Sequence, residues 1–210
     1  MKSRLHVSAL FVVFAGTWAG LLLLDGIVVP RTFFRPLSTA VTVFMILFVV
    51  FDKWLWRWKA LYPWFVATPD LQGTWTGTVA TTWIDPSTGR KRHPITAYLV
   101  VKQSFSEIRL RLFTKESVSE MLAGEITTSP DGIHEILSIY RNTPWQPYRE
   151  TSPIHLGGLR FSVEGQPPHS LRGEYWTDRR SHGEARFTKL TAAQVTSFEE
   201  GQRAASAPVP

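Results

Sequence analysis

From Asp70 to Leu190 the chain is a succession of short runs in which apolar and polar residues alternate, each ended by a cluster of turn residues. Successive side chains of an extended strand point to opposite faces, so such runs make sheets with one buried face. Leu71, Trp75 and Val79 share one face of the first run, and Ile95, Ala97, Leu99 and Val101 one face of the second. Ile108, Leu110 and Leu112 alternate with Arg109, Arg111 and Phe113 in the third. The reading continues through 118–126, 133–142, 156–165, 171–178 and 184–190, separated by signals such as Asp85-Pro86-Ser87-Thr88-Gly89 and Ser129-Pro130-Asp131-Gly132. Eight strands at regular spacing, with no long amphipathic helix between them, predict an all-β, up-and-down meander closed into an eight-stranded barrel. Closure removes the exposed edges that so β-prone a segment would otherwise present. A barrel of this strand number has an interior filled by side chains or by one small ligand. Gly73, Gly77, Gly173 and Gly183 are expected where the curled sheet bends or another backbone comes close.

The first third is different. Val7 to Leu24 is free of charged residues, and so is the stretch from Pro36 to Phe51. As helices they would be roughly 27 and 24 Å long, close to the hydrocarbon thickness of a bilayer. Trp54, Trp56, Trp58 and Trp64 follow, and such rings suit the headgroup region. A cleaved signal peptide also opens with a basic stretch and an apolar run. Here the run continues through Leu21–Leu24 and a second apolar segment follows, which favours two transmembrane α-helices. Lys2, Arg4, Lys53, Arg57 and Lys59 flank the pair, while Arg31 and Arg35 lie in the connection, a modest bias that favours both termini on the cytoplasmic side. The expected layout is a membrane hairpin over 1–59, a connector over 60–69, a β-barrel over 70–190 and a disordered tail over 191–210. Neither span holds an ionisable residue, so neither reads as a proton relay.

Charge and motifs narrow the function. Residues 1–67 carry seven Lys and Arg against two acids, and residues 68–210 carry 16 against 15. The basic balance belongs to the apolar third, which argues against a protein that coats DNA or RNA polymers. With no cysteine, disulfides and thiolate metal sites are excluded. The histidines, at 6, 93, 134, 155, 169 and 182, are scattered, so surface or hydrogen-bonding roles are the default for them. No hydrolase, zinc-protease or phosphate-loop motif is present, and nothing in the sequence argues for an enzyme or a bound cofactor.

The late strands do carry groups suited to a ligand. Tyr140-Arg141-Asn142-Thr143 ends one strand, and Tyr175-Trp176-Thr177-Asp178-Arg179-Arg180 ends another. Spacing by two puts Tyr175, Thr177 and Arg179 on one face, a polar set that suits a barrel mouth better than an apolar core. A cyclic dinucleotide has two phosphates and two flat bases, and asks for such cations, rings and hydroxyls. Each residue also has a plainer reading. Arg179 and Arg180 fit a solvated hairpin, Tyr140 and Asn142 a satisfied turn, and Arg109 and Arg111 an exposed polar face. Trp75 fits a core plug as well as a ligand contact.

Two apolar helices, then Leu71-Gln72-Gly73-Thr74-Trp75-Thr76-Gly77, Tyr140-x-Asn142 and Gly173-Glu174-Tyr175-Trp176-Thr177-Asp178-Arg179 with Gly183-Glu184 just after, give a chain that resembles the SMODS-associating two-TM, β-strand-rich effectors of bacterial CBASS antiphage systems. The Gly73-Thr74-Trp75 opening and the closing Phe187-Thr188-Lys189 are also similar to avidin-like barrels, though no complete biotin site is present. The family resemblance implies that a CD-NTase-type nucleotidyltransferase supplies a cyclic oligonucleotide, that the barrel binds it, and that the protein then oligomerises and its helices disrupt the inner membrane. It implies ligand-binding roles for Tyr140, Asn142, Tyr175, Thr177 and Arg179, with Trp75 as a weaker candidate. Two other functions compete: a membrane-tethered carrier of an apolar molecule, and a structural protein with a solid barrel. A polar, arginine-bearing lumen favours the first reading, an apolar lumen the second and a fully plugged one the third.

Overall fold

A computed structural model describes residues 15, 16, 20, 24, 31–62, 64–82, 84 and 89–207. The chain divides into two compact units, Met1–Val66 with Ser104–Glu107, and Ala67–Gln103 with Ile108–Pro210.

In the first unit, helix α1 (Arg31–Lys53) covers the second of the expected spans. No glycine or proline follows Pro36 within it, so nothing interrupts its backbone ladder to Lys53. Val43, Phe44, Met45, Ile46, Leu47 and Val49 are exposed along it. Among the described residues, no helix is long and apolar enough to cross a membrane. The expected first span, 7–24, lies largely outside the described residues. The end of α1 is held by buried Asp52. Its Oδ1 accepts from the Ser104 hydroxyl at 3.2 Å and the Ser106 N–H at 2.9 Å, and its carbonyl accepts from Phe105 N–H at 3.0 Å. Phe105 packs edge-on against Phe51, with ring centroids 5.0 Å apart. Two short 3-10 turns follow, Leu55–Arg57 and Lys59–Leu61. Trp56 is buried there, with the Arg57 guanidinium 4.7 Å from its ring centroid, while Trp54, Trp58 and Trp64 are exposed.

The second unit is the expected barrel. Strands β1 (Gly73–Thr81), β2 (Ile95–Gln103), β3 (Ile108–Phe113), β4 (Ser117–Thr128), β5 (His134–Pro144), β6 (His155–Glu164), β7 (Ser170–Thr177) and β8 (His182–Thr191) pair each with the next, and β8 pairs with β1. Every pairing is antiparallel. Alternation fills the interior with Leu71, Trp75, Leu99, Val101, Ile136, Phe161, Leu171 and Phe187. Phe161 and Phe187 meet edge to face at 5.7 Å. Gly77 is needed where β1 meets β8, because a Cβ there would lie 1.9 Å from the Arg186 carbonyl oxygen.

One end of the barrel is closed. Trp75 is wholly buried, and its indole N–H donates to the Leu71 carbonyl at 2.9 Å. Beside it, buried Gln103 donates to the Pro69 carbonyl at 2.9 Å and accepts from Leu71 N–H at 2.8 Å. Satisfying each of these polar groups is what makes their burial tolerable.

The C-terminal segment corrects an expectation. Residues expected to be a disordered tail instead continue β8 to Thr191, cross the outside of the barrel and form helix α2 (Phe198–Ser206). The Thr74 hydroxyl donates to the Ala193 carbonyl at 2.7 Å and accepts from Val195 N–H at 3.1 Å. The Ser197 hydroxyl caps α2 by accepting from Glu200 N–H at 3.1 Å, and Glu200 reaches back to Thr196 N–H at 2.6 Å. The first of these bonds satisfies a donor the helix start would otherwise leave open, and the second ties the helix to the residue before its cap. Val195 and Phe198 cover Val100, Phe113 and Tyr98 on the outer surface. That cover explains why β2 is buried on both faces from Ala97 to Val101.

Candidate ligand-binding site

The other end of the barrel is open. Strand ends at Thr81, Ile95, Phe113, Ser117, Pro144, His155, Thr177 and His182 surround a cavity of about 300 Å³. Its inner part is apolar, formed by Leu99, Leu110, Leu112, Met121, Phe161 and Phe187. Towards the mouth the lining turns polar, with Ser119, Ser138, Tyr140, Asn142, His155, Tyr175, Thr177 and Arg179. The lumen is therefore neither wholly apolar nor packed solid.

Five of the six residues singled out in the sequence line this one cavity: Tyr140, Asn142, Tyr175, Thr177 and Arg179. Register brings them together. Tyr140 pairs with Gly157, and Gly157 with Thr177, so the three form one row across β5, β6 and β7. Asn142 pairs with His155 one row nearer the mouth. Trp75 does not line the cavity; it is the plug at the far end. Trp176 points outward and is half exposed, as the alternation requires. Arg109 and Arg111 are likewise exposed, and Arg111 pairs with Glu120.

The local chemistry of each group follows from its partners. Gly157 makes room for the Tyr140 ring: a Cβ there would lie 2.4 Å from Tyr140 Cζ. Burial pushes the Tyr140 hydroxyl far above the ordinary phenol range, the neighbouring Tyr175 adds to the rise, and Arg179 opposes it. Burial also raises Tyr175, against a hydrogen bond with Thr81 and the Arg179 charge. Both phenols are therefore neutral near pH 7 and able to donate.

Asn142 gives its amide protons to the Ser117 hydroxyl at 3.0 Å and the Ser119 hydroxyl at 2.8 Å, which leaves Oδ1 as its acceptor. The Thr177 hydroxyl is engaged with the 178–181 turn, 2.7 Å from Ser181 Oγ. Asp178 Oδ2 accepts from Leu156 N–H at 3.0 Å. The turn so fixed carries Arg179, whose Nη1 donates to Ser152 Oγ at 3.3 Å. Thr177 thus positions the arginine more than it presents a free hydroxyl. Arg180, next in the turn, has φ of 62° and is exposed.

The sequence reads His155 as a surface or hydrogen-bonding residue and gives Arg92 and Tyr148 no role, yet all three line the mouth. Across the mouth from Arg179, Arg92 is paired with Glu116. Its place could not be read from strand parity because it stands outside the strands. Among the described residues, no group of three or more His, Asp or Glu is placed to hold a metal ion.

Comparison with known proteins bears on the barrel as a domain. CD-NTase-associated protein 15 of Staphylococcus schleiferi is 25% identical over 154 residues, which cover 73% of this chain and 79% of that protein. A family model described as Cap15, cyclic dinucleotide receptor domain, matches residues 66–189, more than half of the chain and nearly the whole barrel. The chain belongs to the Cap15 family through its cyclic dinucleotide receptor domain.

Proposed function

We propose that this protein is a CBASS effector whose barrel receives a cyclic dinucleotide at its open mouth. The observation that carries the reading is the convergence of Tyr140, Asn142, Tyr175, Thr177 and Arg179 on one cavity. Arg179 supplies a permanent cation for a phosphate, in a fork geometry that suits paired oxygens. Tyr140 and Tyr175 supply ring faces and neutral donors, and Asn142 Oδ1 an acceptor for a base edge. At about 300 Å³ the cavity is at the small end of ligand sites. A dinucleotide therefore sets part of itself into the lumen and leaves the rest across the rim, where Arg92 and Tyr148 stand.

The remaining steps of the proposal concern the first unit. The apolar stretches at 7–24 and 36–51 anchor the protein in an inner membrane as a hairpin, with the barrel on the cytoplasmic side. Exposed Trp54, Trp58 and Trp64 seat at the headgroups. A nucleotidyltransferase makes the ligand, ligand capture drives self-association, and the crowded hairpins break the bilayer. A ligand drives assembly only by binding the assembled form more tightly. Moving the balance from about 1:99 to 99:1 takes roughly 5.5 kcal/mol of differential affinity. The test is dye release from sealed vesicles of inner-membrane lipid carrying the full chain. Addition of an active cyclic dinucleotide is expected to cause release and larger complexes in crosslinking. Vesicles that stay sealed across a panel of cyclic dinucleotides that bind would refute the membrane part of the proposal.

A further inference from the structure

We infer that His155 is a phosphate-binding residue of this same mouth, and that it takes up a proton when the anionic ligand seats. The inference rests on the proposed ligand class and adds to it a residue and a linked proton.

His155 opens β6, faces the lumen opposite Asn142 and is 9% exposed. Its Nδ1 lies 3.0 Å from the Pro153 carbonyl oxygen. A carbonyl oxygen only accepts, so Nδ1 carries the hydrogen in every state that keeps this bond. In the neutral ring Nε2 is then a lone pair. A phosphodiester oxygen also only accepts, and a lone pair facing it is repelled. Contact between the two therefore requires a second hydrogen at Nε2, which makes the ring an imidazolium.

The surrounding groups favour the neutral form of the unliganded ring. Burial lowers its proton affinity and the Arg179 cation adds to that, while the Pro153 bond and Asp178 pull the other way. A phosphate seated on Arg179 offsets the guanidinium charge and reverses the balance. The other groups around the mouth are Tyr140 on β5, Tyr175 on β7, Tyr148 and Ser152 on the 145–154 loop, and the Arg92–Glu116 pair opposite. Tyr140 and Tyr175 are held in their neutral forms, so neither phenol competes for this titration between pH 6 and 8. The phosphodiester stays anionic throughout.

The experiment is calorimetric titration of the purified full chain with cyclic di-AMP, cyclic di-GMP and 3′,3′-cyclic GMP–AMP, in buffers of different ionisation heat. For whichever of these binds, proton uptake approaching one per site is expected near neutral pH. Affinity should rise by up to about tenfold for each pH unit lowered between 8 and 6. In His155→Gln a side-chain amide can donate without titrating, so binding should persist with uptake gone and the pH profile flattened. Binding with no uptake in the wild-type protein, a measurement that needs no variant, would overturn the inference and leave the ligand reading standing. Uptake that persists unchanged in His155→Gln would do the same. Failure of all three nucleotides to bind would instead remove the ligand reading and this inference together.

Discussion

At the scale of single residues, the mouth is built by parity and by what each polar group already holds. Arg179 donates to Ser152 and lines the cavity. Arg179→Ala should weaken cyclic dinucleotide binding by roughly 10- to 100-fold, the worth of a charge-assisted hydrogen bond. Unaltered thermal unfolding would show that the loss is local. Gly157→Ala tests the seat of Tyr140, since its Cβ would meet the Tyr140 ring and, at 2.6 Å, the Trp176 carbonyl oxygen. It should cost about 1–3 kcal/mol of stability, as overpacking does, and weaken binding with it. Protonation acts in opposite senses on folding and on binding. The folded-state proton affinity of His155 is depressed, so the unfolded chain binds more protons as pH falls through the ordinary imidazole range. The ligand-free protein should therefore lose stability below about pH 6.5, while ligand affinity rises. Thermal melts across pH, with and without His155→Gln, would show whether the slope shrinks when this ring is removed.

Much of this scale was legible. Spacing by two was enough to put Tyr175 and Thr177 on the same face and Trp176 on the other. His155 reads as a surface residue when the sixth strand is taken to begin at Leu156. Starting it one residue earlier places 155 in phase with the inward positions 157, 159 and 161. That Asn142 and Thr177 are committed to serines and to a turn depends on groups 23 to 25 residues away or across a hairpin, which no local pattern reports.

At the scale of elements, the strand count and the antiparallel order followed from turn signals and alternation, because a hairpin is local in sequence. Closure between β1 and β8 brings together residues more than 100 positions apart, and only the advantage of having no free edges pointed to it. Composition does not show the C-terminal helix. Small and polar residues suggested disorder, yet Thr196-Ser197-Phe198-Glu199-Glu200 holds a capping signal, and Val195 and Phe198 give the segment an apolar face. Ser197→Ala should cost about 1 kcal/mol, a typical value for a lost N-cap, and lower the melting temperature. Nucleotide affinity should stay the same, because α2 covers Tyr98 on the outside of β2 and lines no part of the mouth.

At the scale of the whole molecule, one end of the barrel is closed and the other is open. Trp75, Leu71 and Gln103 close the far end with their polar groups satisfied. Trp75→Ala should cost about 3–5 kcal/mol, a large share of a domain's usual stability, and chemical denaturation would read it. The first unit is the part on which sequence and structure bear differently. Hydropathy alone points to two spans, and the described residues hold α1 with its exposed apolar side chains and the buried Asp52 that anchors its end. The central claim is that the open mouth is the receptor site. Equilibrium titration of the full chain with cyclic dinucleotides, wild type beside Arg179→Ala, tests it most directly. Saturable binding of at least one of them with one ligand per barrel, weakened tenfold or more by the substitution, is the predicted result. Binding of equal strength in the two proteins would contradict it.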